Sequence, residues 1–436
     1  MEPPAGSVRE RSGLTPLKAR IEIIAIVVPL VLTLVLADVP SADGQERDWP
    51  QWRGPSRDGT VTVPDGSGPL EWPDQLTREW RVEVGAGYAA PIMVGDRVFV
   101  FSREGEEEVL RALEGDGGAE VWSTRYPAPY SYQAAAAQHG PGPKATPTYD
   151  AGRIFTLGLG GVVTAFDATS GDILWQVPEP DVVPLYGTAA SPLVDGDQVI
   201  VHVGGDGRGA LTAFDVATGT VRWAWDGDGP GYASAQMTMI GGVRQVITLS
   251  QAHVVGVDAG SGALLWEVPF TTGFTQNIID PVIAGDVVIV SGYQERTFAL
   301  RVVPDASGWS SSELWSNSET AMYMSNPVLT GGMLFGLTER NSGQFFLLDV
   351  EDGETVWTGP PRQAENAAIL RIDDGPLLVL EDDGELIVGS VDAMGLVENR
   401  RYSVAESATW AQPAISGNRI AVKDVSGVTL WNLGAP

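Results

Sequence analysis

The chain has 436 residues, 43% of them hydrophobic, with 53 Gly and 30 Pro, and carries a formal net charge of −29. Such apolar content excludes a disordered chain, and an acidic surface that repels phosphate disfavours nucleic acid and anionic lipid as partners. The absence of cysteine excludes disulfides, thiolate metal sites and a lipidated N-terminal cysteine.

At the N-terminus, Arg9, Arg11, Lys18 and Arg20 precede an apolar run from Ile23 to Ala37, broken only by Pro29 and Thr33. A run of about fifteen residues is short for a membrane span and suits the core of a secretory signal. Residues 1–37 therefore read as a signal peptide, with Val35-Leu36-Ala37 at the cleavage position, or as an uncleaved anchor. In either form the rest is exported, periplasmic or membrane-anchored and facing outward. The membrane enters only through an uncleaved segment.

Residues 38–75 form an irregular lead-in segment containing Trp49-Pro50-Gln51-Trp52-Arg53-Gly54-Pro55. Two Trp and an Arg set between Pro and Gly cannot build a helix or a central strand. The segment is expected to lie across one face of the body, with Trp49 and Trp52 as apolar anchors and Arg53 in a packing role.

Residues 76–436 repeat. An acid, a Gly four residues on and a Trp four beyond recur as Glu114/Gly118/Trp122, Asp167/Gly171/Trp175, Asp215/Gly219/Trp223, Asp258/Gly262/Trp266 and Asp349/Gly353/Trp357. With Trp315 included, the Trp residues from 122 to 357 are spaced 53, 48, 43, 49 and 42 apart, the period of a blade or solenoid unit. In the third unit, Ala190–Val194, Gln198–Val203, Ala210–Val216 and Thr220–Trp225 read as four strands, separated by Asp/Gly turns and a Gly204–Gly209 loop. No stretch after Ala37 keeps helical periodicity, so the fold class is all-β.

The innermost strand restarts eight times, at Ala90-Pro91, Thr146-Pro147, Ser191-Pro192, Ala235-Gln236, Asp280-Pro281, Asn326-Pro327, Ala367-Ala368 and Gln412-Pro413. The eighth unit ends one strand short after Val428–Leu433, while Thr77–Val84, around Trp80, has the outer-strand pattern. Pairing the two ends would close an eight-bladed β-propeller of four-stranded blades and hide both edges. The outer-strand aromatics are then Trp80, Trp122, Trp175, Trp223, Trp266, Trp315, Trp357 and Tyr402. The stretch Pro304–Trp309 reads as an insertion forming a longer surface loop.

These acid–Gly–Trp units, the Trp49–Pro55 stretch and Gly140–Pro147 resemble the PQQ-binding-like (quinoprotein-type) β-propeller repeat family over roughly residues 48–433. That family includes PQQ-dependent alcohol dehydrogenases and the non-enzymatic outer-membrane assembly lipoprotein BamB. The resemblance implies that the repeat Trp is a structural docking residue between blades. It also implies ligand binding where the loops before the innermost strands meet around the axis. Those loops carry Tyr88, His139, Lys144, Tyr186, Tyr232, Gln236, Gln276, Asn277, Asp280, Tyr323, Asn326, Glu365, Asn366, Trp410 and Gln412. They are rich in aromatics and amides and poor in charge, a composition that suits a pocket or a protein-binding face.

For PQQ with Ca²⁺, the resemblance requires carboxylate and amide ligands, a stacking Trp and a Cys pair. Asp280 and Glu365 would serve as acids, Asn277 and Asn366 with Lys144 as cofactor contacts and Trp410 as stacker; the Cys pair is missing. Of the histidines, His202 sits in a β-branched run, and the spacing of His139, His202 and His253 matches no zinc motif. The sequence thus favours a non-catalytic binding scaffold with a protein partner at the envelope. The alternatives are a PQQ-dependent dehydrogenase and a module that binds glycan or another small molecule.

Overall fold

The computed structural model describes residues 48–62, 72–130, 140–306, 308–373 and 375–434. The chain divides between Val39 and Pro40; the signal or anchor reading of residues 1–37, and His139, lie outside the described residues. Eight antiparallel four-stranded sheets follow one another as blades. Blade one contains Ile92–Val94, Arg97–Glu104, Glu107–Glu114 and Glu120–Pro127, from the innermost strand outward. The innermost strands of blades two to eight begin at Thr148, Leu193, Gln236, Val282, Val328, Ala367 and Ala414. Middle strands such as Arg97–Glu104 are buried almost throughout, because the neighbouring blades cover both faces. Outer strands such as Ile173–Val177 are half exposed.

The ring closes across the chain ends. Thr77–Glu83 pairs antiparallel with Gly427–Asn432, setting Trp80 opposite Leu430 and Thr77 opposite Asn432.

The repeated turn works as a socket. In blade two, Asp167 Oδ1 accepts from the Thr169 and Ser170 amides at 2.9 Å, and the Gly171 amide returns to Asp167 O. Gly171 has φ +77, and a Cβ there would lie 2.5 Å from the Trp122 ring of the preceding blade. The Trp122 indole donates to Ala168 O (3.2 Å), as Trp80 does to Gly115 O, Trp175 to Val216 O, Trp223 to Ala259 O and Trp315 to Val350 O. In each case the acceptor follows the acid of the next blade. Blade five lacks the acid–Gly turn, so Trp266 has no seat there. Its ring lies on Gly256 of its own blade and donates to Gln245 Oε1 (2.8 Å). Tyr402 is buried and donates to Pro73 O (2.5 Å).

Four expectations are corrected. Pro304–Trp309 is not a loop: Thr297–Asp305 and Gly308–Asn317 pair to the tip, Pro304 opposite Trp309, and both side chains sit over the Gly241 turn of blade four. The stretch Gly204–Gly209 belongs largely to strands, Gln198–Gly205 pairing with Arg208–Asp215. The lead-in segment is not wholly irregular, since Thr60–Val61 pairs parallel with Arg371–Ile372 and gives blade seven a fifth strand. In blade four the residue equivalent to Ser191 is Ser234, one before the Ala235 expected, because its innermost strand starts at Gln236 and the interblade bonding described below runs through Ser234.

Candidate functional site

The axis is organised first by backbone amides. The amide of Ala90 donates to Thr146 Oγ1, that of Thr146 to Ser191 Oγ, that of Ser191 to Ser234 Oγ, that of Ser234 to Asp280 Oδ1 and that of Asp280 to Asn326 Oδ1, at 2.6–3.1 Å. A short polar side chain before the innermost strands of blades two to six thus ties blades one to six in series. Thr146, Ser191, Ser234, Asp280 and Asn326 are all buried. Asp280 and Asn326 belong to this relay.

The lead-in segment fills the axis beside it. Trp49 bridges Met93 of blade one, Pro50 O accepts from the Tyr149 amide of blade two, and Gln236 of blade four donates to Arg57 O. Arg57 Nη1 donates to Pro192 O (2.8 Å) and Arg53 Nη2 to Pro327 O (2.6 Å). Trp52 Nε1 donates to Asp280 Oδ2 at 2.6 Å, so this Trp is a polar tie as well as an apolar anchor. Burial pushes the Asp280 carboxyl up, opposed by the Trp52 bond and the two guanidiniums. Burial also lowers both arginines, with Asp280 opposing it in each; Arg57 comes down to about 10 and so stays charged at neutral pH. A cavity of about 250 Å³ lies between this segment and blades four to seven, lined by Arg53, Arg57, Gln236, Asp280, Asn326 and Arg371.

The other end of the axis is aromatic. Hairpins joining second to third strands meet the axial loops there, as Thr188 N bonds Leu159 O, Gln251 N bonds Gly229 O and Asp382 N bonds Asn366 O. Tyr88 pairs with Trp410 and Tyr186 with Tyr232, each with centroids 5.9 Å apart, and Tyr293 pairs with Tyr323 at 4.4 Å. Lys144 Nζ donates to Tyr186 O (2.7 Å), and burial pushes its ammonium down to about 8. Burial raises the Tyr88 and Tyr232 phenols and takes Tyr323 up to about 12, so all three are neutral. Asn277 Nδ2 donates to the Ser250, Gln251 and Phe270 carbonyls, while Asn277 Oδ1, Gln276 Oε1 and Gln412 Oε1 are buried without a donor.

The sequence-derived set therefore separates into two groups. Tyr88, Lys144, Tyr186, Tyr232, Gln276, Tyr323 and Trp410 share the aromatic mouth, whereas Gln236, Asp280 and Asn326 lie around the lead-in segment. Glu365 is exposed, and Asn366, beside it, accepts from Ser325 Oγ (3.0 Å). His202 is buried, donating through Nε2 to Asp228 O, and His253 starts the third strand of blade four. Among the described residues no group of three His, Cys, Asp or Glu could hold a metal ion.

Arg57, Tyr293, Glu339 and Phe274 were missed. Arg57 follows Arg53 by four residues in the lead-in segment, a legible signal. Tyr293 and Glu339 sit on strand-joining hairpins, which the search of the axial loops passes over. Phe274 is 71% exposed at φ 58, on a backbone that no residue type announces.

Comparison with known proteins gives a consistent picture. A family profile described as outer membrane protein assembly factor BamB matches residues 105–359. The BamB of Yersinia pestis is 23% identical over 370 residues, 80% of this chain and 87% of that protein. Among solved structures, BamB from Moraxella catarrhalis superposes with a TM-score of 0.59 at 16% identity, covering 82% of this chain and 99% of its own. Quinohemoprotein alcohol dehydrogenase from Comamonas testosteroni gives 0.61 at 14% identity, covering 91% and 82%. At such identities the structures speak to the fold alone.

Proposed function

The chain belongs to the family described as outer membrane protein assembly factor BamB, and from that premise we propose that it is an exported, non-catalytic scaffold binding a protein partner at the cell envelope. The observation that carries this reading is the state of Asp280. Both its oxygens are engaged, by Trp52 Nε1 and the Ser234 amide, as part of the blade-to-blade relay. An acid whose two oxygens tie neighbouring parts of the fold, and which two guanidiniums flank, is placed as architecture rather than offered to a cation or a substrate proton. What the axis offers instead is a mouth of aromatic and amide side chains, the composition of a binding surface.

The dehydrogenase alternative is weighed on the same residues. A quinone with Ca²⁺ wants several converging oxygen ligands. Here Asp280 faces the lead-in segment, Glu365 is exposed on the loop before blade seven, and Asn277, fixed by Nδ2 on three carbonyls, offers a lone Oδ1. These residues do not fit the group, and no step is derived through it.

The test is affinity capture from envelope extract with the purified exported chain, beside a titration with PQQ and Ca²⁺ read by absorbance. A stable protein partner and no quinone binding are expected. Saturable quinone binding with alcohol oxidation would overturn the reading. Recovery of glycan alone would move it to the carbohydrate class.

A further inference from the structure

The aromatic mouth has a charge pattern that its own loops do not reveal. Exposed acids crowd the loops and hairpins of that end, among them Glu179, Asp181, Asp206, Glu295, Glu365 and Asp383. The exposed cations there include Arg125, Arg208, Arg340 and Arg362; Arg125 is paired with Glu104 and Glu107, and Arg340 is drawn onto Ser318 O (2.6 Å). Inside this rim burial keeps Tyr88, Tyr232 and Tyr323 neutral, and Lys144 is held by Tyr186 O.

One point carries more. Beside the Tyr293–Tyr323 pair, Glu339 accepts the Gln294 amide through Oε1 (3.0 Å), while its Oε2 is buried without a hydrogen-bond partner. The Tyr323 phenol lies close enough to Glu339 to feel its charge. Gln276, whose side chain reaches the Tyr323 phenol, likewise keeps an acceptor, Oε1, without a donor. Gln294 and Asn341, flanking this place, hold left-handed backbones at φ 58 and 54, strain of the kind that collects at binding sites. Unfilled acceptors, a carboxylate that has Arg340 nearby but one oxygen without a hydrogen bond, and π faces inside an acidic rim all call for the same chemistry, a cation bearing N–H donors.

We propose that this mouth docks an extended segment of the partner protein carrying lysine or arginine, with one cationic side chain seated between Tyr323 and Glu339. The inference rests on the scaffold reading and adds the chemistry of what is bound. A polymer of neutral sugar would bring the carboxylate no positive charge, and an acidic segment would meet the rim as a like charge.

Calorimetric titration of the exported chain with a lysine–serine repeat peptide, a glutamate–serine counterpart and a neutral oligosaccharide tests it. The lysine peptide alone should bind, more weakly as salt rises. Tyr323→Ala and Glu339→Gln should each weaken it about fivefold or more. Tyr323→Phe, which keeps the ring face, should retain most of the affinity. Glu351→Gln, which removes one exposed charge at the far end of the blades, should change it less than about twofold. Equal losses for Glu339→Gln and Glu351→Gln would mean attraction to the acidic surface at large and would overturn the proposal, as would equal binding of either other probe. The same variants in the envelope capture separate the two readings. A partner recovered undiminished by Tyr323→Ala and Glu339→Gln leaves the scaffold standing and sinks the cationic seat.

Discussion

Gly171 does two things at once: its φ of +77 turns the chain, and its missing side chain admits the Trp122 ring. The two contributions can be separated, because Gly152 in the same blade has φ +82 with open space around it. Replacing Gly152 by Ala should cost only the backbone term, about 1–2 kcal/mol. Gly171→Ala must also displace an indole and should cost about 2–4 kcal/mol. Urea unfolding of both variants measures the difference, and equal losses would refute the socket. His202 supports a second prediction at this scale. Burial pushes its imidazole down to about 4, and Nδ1 lacks any partner beside Trp225. The unfolded chain, with an ordinary value near 6.5, then binds the extra proton first. The stability that neutral His202 contributes is complete above about pH 6.5 and is lost as pH falls toward 4. His202→Gln should flatten that limb of a melting-temperature profile, and an unchanged slope would remove His202 as its source.

The lead-in segment is the element that sequence reading located and under-described. The Pro and Gly of residues 49–55 announced that this stretch could not be a strand of the ring, and Trp49 and Trp52 that it was anchored, but nothing announced that Thr60–Val61 would add a strand to blade seven. Nothing in the sequence says that Trp52 meets Asp280, since 228 positions separate them and only the closed ring brings them together. Asp280 itself was legible as the blade-five counterpart of Ser191 and Asn326, and for the same reason was ambiguous. An acid among hydroxyls and amides reads as either chemistry or architecture until its bonds are known. Removing it by Asp280→Ala would leave the Ser234 amide and the Trp52 indole without an acceptor, take the counter-charge from buried Arg57 and leave Arg53 only Asp58. The expected loss is about 3–5 kcal/mol, against about 1–3 kcal/mol for Trp52→Phe, which removes one bond. Thermal melts of the two should rank in that order. A near-neutral Asp280→Ala would mean the acid is spare, and would reopen it as a functional group.

At the scale of the whole ring, seven of the eight seams join neighbours in sequence and one joins the ends. The acid–Gly–Trp count and the missing last strand made that closure legible in advance. The sharing of inner-strand amides and the two-group split of the axial residues were not legible, because they depend on which end of each blade a loop occupies. Closure has a kinetic consequence. Trp80 on Gly118 and Thr77 opposite Asn432 are brought together only after every intervening blade exists, and loop-closure entropy sets contacts of such sequence separation late. Trp80→Ala and Trp175→Ala each remove one indole from one glycine seat, with similar equilibrium losses of about 3 kcal/mol or more. Their rates should differ. Interactions absent from the transition state act on unfolding, so Trp80→Ala should accelerate unfolding and leave refolding nearly unchanged, whereas Trp175→Ala, inside a local pair of blades, should also slow refolding. Stopped-flow denaturant jumps on the two variants give both limbs. Equal partitioning would show that the seam at the chain ends forms no later than the others, and that the ring condenses as one unit.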